Sequence, residues 1–251
     1  MSRRDFVKVG LAVAAAPALA RCGNGTGPLG SPRLSARPGT PTDSPTLGQS
    51  FLGLGTGNRD GVLYVPQSYS PDTPMPLFVA LHGASGTGSA WGSYYSRSEA
   101  RGMVFLAPDS RSYTWDLVLG GFGPDVAFLD EALAYTFAHC AIDPAHIVLG
   151  GFSDGASYAL SLGVCNGDLF SHLIAYSPGF FHPGTPIVGT PPVFISHGTE
   201  DTVLPVSGSR DVIVPKLRDA GYDVTYREFT GPHSVPADIS ETALDWFLAV
   251  P

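Results

Sequence analysis

The 251-residue chain predicts an α/β fold, a mostly parallel, twisted sheet of about eight strands with helices on both faces. Three observations lead there. Short apolar runs alternate with segments of helical period from about residue 50 onward. Most of those runs are continuous rather than in–out alternating, which marks strands covered on both faces. Hydrophobic residues make up 43% of the chain and charged ones 14%, enough apolar material for the core of one large domain.

Residues 1–22 read as an address rather than as part of the fold. Ser2-Arg3-Arg4-Asp5-Phe6-Val7-Lys8 resembles the twin-arginine export signal, and an apolar stretch from Val9 to Ala20 follows. That stretch falls short of the roughly 20 apolar residues needed to span a bilayer. The expected destination is periplasmic, cell-surface or extracellular. Ala18-Leu19-Ala20 suits ordinary signal cleavage. Leu19-Ala20-Arg21-Cys22 resembles a lipobox in which Arg21 replaces the usual small residue, so Cys22 is a candidate for lipidation and the one membrane attachment expected.

Residues 23–48 are rich in Gly, Pro, Ser and Thr without apolar period, and predict a disordered tether. Residues 49–251 form the expected catalytic domain. Within it Gly61–Val65, Leu77–Leu81, Val104–Ala107, Ile147–Leu149, Leu173–Tyr176, Pro192–Ile195 and Val224–Phe229 read as strands. Helical patterns lie near 89–101, 125–139, 154–165, 208–220 and 239–249, with Asp125 placed to cap the second. Cys140 and Cys165 fall in helices beside the central strand, as one disulfide or as two buried thiols. No Cys or His pair has metal-ligand spacing. A net charge of −8 argues against nucleic acid, whose phosphates require basic residues.

The chemistry concentrates at Gly151-Phe152-Ser153-Asp154-Gly155, which runs from a buried strand into a helix. A serine at such a turn is held in a strained conformation above the sheet, and flanking glycines let strand and helix approach. A serine hydroxyl needs a base, and the base an orienting acid. Asp201 sits in the turn after the strand ending near Ile195, with Glu200 beside it as the alternative acid. His233 follows the next strand and is the expected general base. His139, His146 and His172 fall at structural positions, His197 is placed to fix the acid's turn, and His182 to line a pocket. Backbone N–H groups of Ala84, in the Gly-rich loop 81–88, and of Asp154 are the expected oxyanion donors. No Gly-Lys-Ser/Thr element follows that loop, so it is not a phosphate loop.

Leu81-His82-Gly83, Gly151–Gly155, His197–Pro205 and Gly231-Pro232-His233 resemble the phospholipase/carboxylesterase family of α/β-hydrolases. The stretch from Asp125 through Ile142-Asp143-Pro144 to Gly155 is similar to exported feruloyl esterases and poly(3-hydroxybutyrate) depolymerases. The resemblance covers about residues 60–250 and implies ester hydrolysis by Ser153, His233 and Asp201 without a cofactor. Asp154 departs from the Gln or Asn common after the nucleophile, which places an extra carboxylate near His233.

The link from Ser177 to about Thr190 is too short for a helical cap, so no large lid is expected and the cleft would admit acyl, aryl or polymeric esters. Tyr113, Trp115, Phe180 and Phe181 are the candidate substrate-binding aromatics. An acyltransferase or peptidase using the same triad, and a non-catalytic surface binding protein, are the competing functions.

Overall fold

The computed structural model describes residues 30–55 and 57–249; the signal, Cys22 and residues 23–29 of the expected tether lie outside the described residues. Eight strands form one sheet: β1 (Gly48–Phe51), β2 (Gly61–Val65), β3 (Met75–Leu81), β4 (Val104–Pro108), β5 (Ile142–Phe152), β6 (His172–Tyr176), β7 (Val193–Gly198) and β8 (Val224–Phe229). Their order is β1-β2-β4-β3-β5-β6-β7-β8. β2 runs antiparallel to β1 and β4, and every other pairing is parallel.

Continuous apolar strands supply both faces at once. In β3, Leu77, Val79 and Leu81 enter one core, while Phe78 and Ala80 enter the other. The first core is covered by α3 (Pro124–His139), α4 (Asp154–Gly163) and α5 (Val214–Asp219), through Leu129, Leu160 and Leu217 among others. The second is covered by α1 (Tyr94–Arg101) and α6 (Ala237–Leu248), through Tyr94, Leu244 and Phe247. A 3₁₀ turn, Gly88–Trp91, precedes α1, and a π-helical turn, Gly208–Ile213, precedes α5. A short α2 (Asp116–Leu119) has no counterpart in the sequence pattern.

Two expectations need correction, and one open alternative is decided. From residue 30 the supposed tether is docked on the domain, and its end, Gly48–Phe51, is strand β1. Leu34 is buried in the first core, and Arg33 forks onto Asp168 with bonds of 2.8 and 2.7 Å. The Asn166 side chain donates to Pro32 O and accepts from Leu34 N, and Asp130 accepts the N–H groups of Ser35 and Ala36. A Pro-rich strip needs no period of its own when the folded body supplies its hydrogen-bond partners. Asp125 does not cap α3. The N-cap is Gly123, and the Asp125 carboxylate is turned instead to the N–H groups of Arg111 and Asp116. Cys140 and Cys165 are both free and buried.

The link from β6 to β7 carries no helix among its described residues. It descends alongside α4, where Gly179 N–H bonds Ser157 Oγ (2.9 Å), His182 N–H bonds Ser161 Oγ (3.0 Å) and Val188 N–H bonds Val164 O (2.9 Å). The two serines lie four residues apart, one turn along the same helix face, and so form a rail for an extended segment.

Candidate active site

β5 ends at Phe152 and α4 begins at Asp154, leaving Ser153 between them at φ 58° and ψ −119°. Few non-glycine residues adopt such a conformation, and it persists because both neighbours are fixed. Ser153 N–H bonds Tyr176 O at 2.9 Å, and Ser153 O accepts Ser157 N–H at 3.0 Å. The flanking glycines are obligatory: a Cβ at Gly155 would lie 2.2 Å from Leu81 O, and one at Gly151 would lie 2.4 Å from Gly155 C.

The loops after β7 and β8 meet beside this elbow. His233 Nδ1–H donates to Asp201 Oδ2 at 2.5 Å, which leaves Nε2 as the unprotonated nitrogen of the neutral ring. Nε2 is buried and has no hydrogen-bond partner among the described residues. The ring rests on Phe152, centroids 4.6 Å apart. Burial opposes ionisation of Asp201, but the N–H groups of Leu204 and Val203 and the His233 bond outweigh it, so its carboxyl lies below the usual range. Beneath it the fully buried His197 has Nε2 2.7 Å from Leu204 O and 3.1 Å from Asp201 Oδ2, and its Nδ1 is 2.7 Å from Ser209 Oγ. It braces the acid's turn. Glu200 is exposed.

On the other flank, Gly83 brings the loop after β3 against the elbow, where an added Cβ would sit 3.3 Å from Ser153 Cβ. The N–H groups of Ala84 and Asp154 donate no hydrogen bond among the described residues. Both sides of this gap are tied to the loop that follows β4. Ser85 N–H bonds Tyr113 O (2.6 Å), Trp115 Nε1–H bonds His82 O (2.8 Å), and Thr114 Oγ1 bonds Asp154 Oδ2 (2.5 Å). That loop is in turn clipped to α3, because Asp116 and Asp125 each accept the other's backbone N–H (2.8 and 2.6 Å). His82 accepts Ser110 N–H at Nε2 and has Nδ1 2.7 Å from Gly83 O; burial lowers its pKa, so the ring is a neutral brace. Arg59 donates to Gly86 O and Ser110 Oγ (3.0 and 2.9 Å). Nothing in the sequence around Arg59 signals that role.

The predicted substrate aromatics do not gather at the site. Trp115 is fully buried between His82 and Tyr158, so it is a scaffold residue: its N–H is already spent on His82 O. Tyr113 is exposed, and Phe180 and Phe181 are half-buried on the link that follows α4, with Lys216 Nζ 5.1 Å above the Phe181 ring. His182 is on the same link and exposed. The cavity beside Ser153, about 360 Å³, lies instead between the 3₁₀ turn, α1 and the start of α6. Its walls include Gly83, Trp91, Tyr94, Phe152 and Val235, and none of the four predicted aromatics.

The strand order, the elbow serine and the buried His–Asp pair define a protein of the α/β-hydrolase class. Residues 126–247, which hold Ser153, Asp201 and His233, match the Phospholipase/Carboxylesterase family, and residues 1–20 match the twin-arginine translocation signal sequence. Feruloyl esterase C of Emericella nidulans is 28% identical over 159 residues, 60% of this chain and 57% of that protein. A probable feruloyl esterase C of Aspergillus niger is 27% identical over 66% of this chain and 62% of its own length. The chain thus spans about three-fifths of the curated relatives it matches. Among solved structures, esterase PE8 aligns with a TM-score of 0.61 at 27% identity, covering 74% of this chain and 96% of that one. The acetyl xylan esterase of Aspergillus awamori aligns with a TM-score of 0.62 at 17% identity, covering 80% and 98%, and shows the shared fold. The chain thus has the α/β-hydrolase fold, is similar to carboxylesterase-type proteins of that fold, and begins with a match to the twin-arginine signal sequence.

Proposed function

We propose that the chain is an exported serine carboxylic-ester hydrolase. Ser153 is the nucleophile, His233 the general base and Asp201 the acid that orients it. The observation that carries this reading is the strained Ser153 elbow beside a histidine whose Nδ1 is held by a buried carboxylate while its Nε2 is unpartnered. His233 Nε2 takes the Ser153 proton as Oγ attacks the ester carbonyl, and the Ala84 and Asp154 N–H groups receive the oxyanion. His233 then protonates the leaving alcohol, and water repeats the sequence on the acyl-enzyme.

Relatives named as feruloyl and acetyl xylan esterases support acyl and aryl esters as the substrate class, with polymer-linked esters accessible because the β6–β7 link runs down α4 and builds no helical cap. We assign the catalytic domain to residue 30 onward. Cys22 is the proposed lipidation site. A fluorophosphonate probe should label Ser153 stoichiometrically, and Ser153→Ala should abolish p-nitrophenyl ester turnover with the fold intact by circular dichroism. An unlabelled Ser153, or turnover that survives the substitution, overturns the proposal.

A further inference from the structure

We infer that the Ser153 end of the molecule is a docking face for a lipid bilayer, seated through the α2 loop, an inference that rests on Cys22 carrying the proposed lipid. The point where the chain leaves the domain comes first. A Cβ at Gly30 would lie 4.0 Å from Phe122 O, in the loop between α2 and α3. Pro32 and Phe122 meet at Gly184, where an added Cβ would lie 2.7 Å from Pro32 Cγ and 3.1 Å from Phe122 Cε2. Ser35 and Ala36 then bond Asp130 midway along α3, and Thr42 and Asp43 donate to Ala138 O in its last turn. The first turn of α3 is at the Ser153 end, because Asp125 is clipped to Asp116 and that loop holds His82 and Asp154. The strip therefore runs down α3, and the chain upstream of Gly30 departs beside α2.

Length then limits the posture. Residues 23–29 alone separate Cys22 from Gly30, and that stretch reaches at most ~29 Å when fully extended. A domain of this size has a radius of gyration of about 17 Å and so spans roughly 45 Å. An anchor that leaves from the Ser153 end cannot bring the opposite end down to the bilayer.

The surface at that end fits the same partner. Eight large apolar side chains stand exposed among the described residues, and five of them are at the Ser153 end: Phe51, Tyr113, Val118, Leu119 and Val203. Phe51 ends β1, in register through Val62 with Ala107 near the end of β4. Tyr113, Val118 and Leu119 follow β4, and Val203 is in the turn after β7. Leu119 is three residues from Phe122, where the chain departs. Residues 117–123, Leu-Val-Leu-Gly-Gly-Phe-Gly, carry no charge in a chain whose net charge is −8. The contact is therefore apolar, without the Lys and Arg cluster that would hold anionic lipid. A single acyl chain holds a protein only marginally, and an apolar face beside the anchor adds a second contact. Of the esters proposed above, those carried at the bilayer surface then lie nearest Ser153.

The test uses the full chain, exported by a bacterium with a twin-arginine route and reconstituted into phosphatidylcholine vesicles that contain a brominated lipid. Cys140 and Cys165 are buried, so a cysteine introduced at the surface takes a bimane probe. Leu119→Cys places the probe on the docking face. Ile187→Cys places it near the far end of α4, where the neighbouring Val188 N–H bonds Val164 O. Quenching at position 119 should be at least threefold that at 187. Adding Val118→Asp should cut the quenching at 119 by half or more, and high salt should leave it unchanged. Circular dichroism verifies the fold, and Phe51→Cys carries the probe if Leu119→Cys fails that check. Equal quenching at the two ends, stronger quenching at 187, or loss of the signal at 119 in salt overturns the docking face and leaves the anchor standing. Equal quenching is also what a rim built for a protein or a polymer would give. A chain that takes up no more alkyne-palmitate than its Cys22→Ser variant overturns the face together with the anchor.

Discussion

The two flanks of Ser153 are built on opposite plans. The flank carrying Ala84 is cross-tied: Trp115 holds His82, Tyr113 holds Ser85, Thr114 holds Asp154, and the Asp116–Asp125 pair fastens them all to α3. On the other flank the His233 ring itself is held by one bond to Asp201 and the face of Phe152, on a loop tied to the acid's turn by Glu200 N–H and Gly231 O. The contrast fits the two proposed tasks. Donors that stabilise a developing oxyanion are effective when they need not reorganise, so rigidity is their function. A base that serves first the nucleophile and then the leaving group needs a free nitrogen and room to turn.

The largest test of that contrast is His233→Ala, which should lower kcat/KM by about 10⁴. A loss within tenfold would break the assignment of the flank that carries the base. Next comes Gly155→Ala. Its methyl would collide with Leu81 O, so we expect a loss of about 3 kcal/mol in urea unfolding, and an unchanged midpoint would contradict the close approach.

A smaller effect probes the cross-ties. Thr114→Val should cost about tenfold in kcat with little change in KM, because the clamp acts on oxyanion geometry and not on ground-state binding. Asp154→Asn retains an oxygen for the Thr114 hydroxyl and should retain most of kcat. If it instead loses activity as Thr114→Val does, the Asp154 charge matters more than the clamp.

The smallest effect is one of pH. Burial, opposed by the Arg111 N–H and helped by the Asp116 charge, pushes the Asp125 carboxyl up to about 6 from an ordinary 3.8. The folded chain therefore holds this proton more tightly than the unfolded one, and the contribution declines as pH rises from about 4 to 6. Between pH 5 and 7 the parent should lose about 1 kcal/mol that Asp125→Asn does not, measured as the difference between their melts. Asp201 has the opposite sign, since its depressed value makes a contribution that is lost only as pH falls below about 3.8. It is silent in that window.

Much of this was legible in the sequence. Most of the strands contain a continuous apolar run, with β8 the alternating exception, and the elbow, Asp201 and His233 follow one another at strand ends. What escaped has no period and no motif. β1 is a four-residue edge strand with polar Gln49 and Ser50, and residues 32–37 are held by side chains more than 90 positions away. Trp115 reads as a mouth aromatic because it lies in a loop after β4, yet one hydrogen bond to His82 O turns it inward. The cavity forms where the 3₁₀ turn, α1 and α6 converge, a meeting that no local pattern encodes.

The latched strip before β1 also decides where the chain can be cut. Composition changes near residue 49, and a recombinant product begun there would leave Asp168, Asp130 and Asn166 without the partners that Arg33, Ser35 and Leu34 supply. It would also open a Leu34-sized hole in the first core. A product begun at Gly30 keeps the latch whole, and the difference between the two melting temperatures reads out how much of the domain's stability resides in a segment that looks like a spacer.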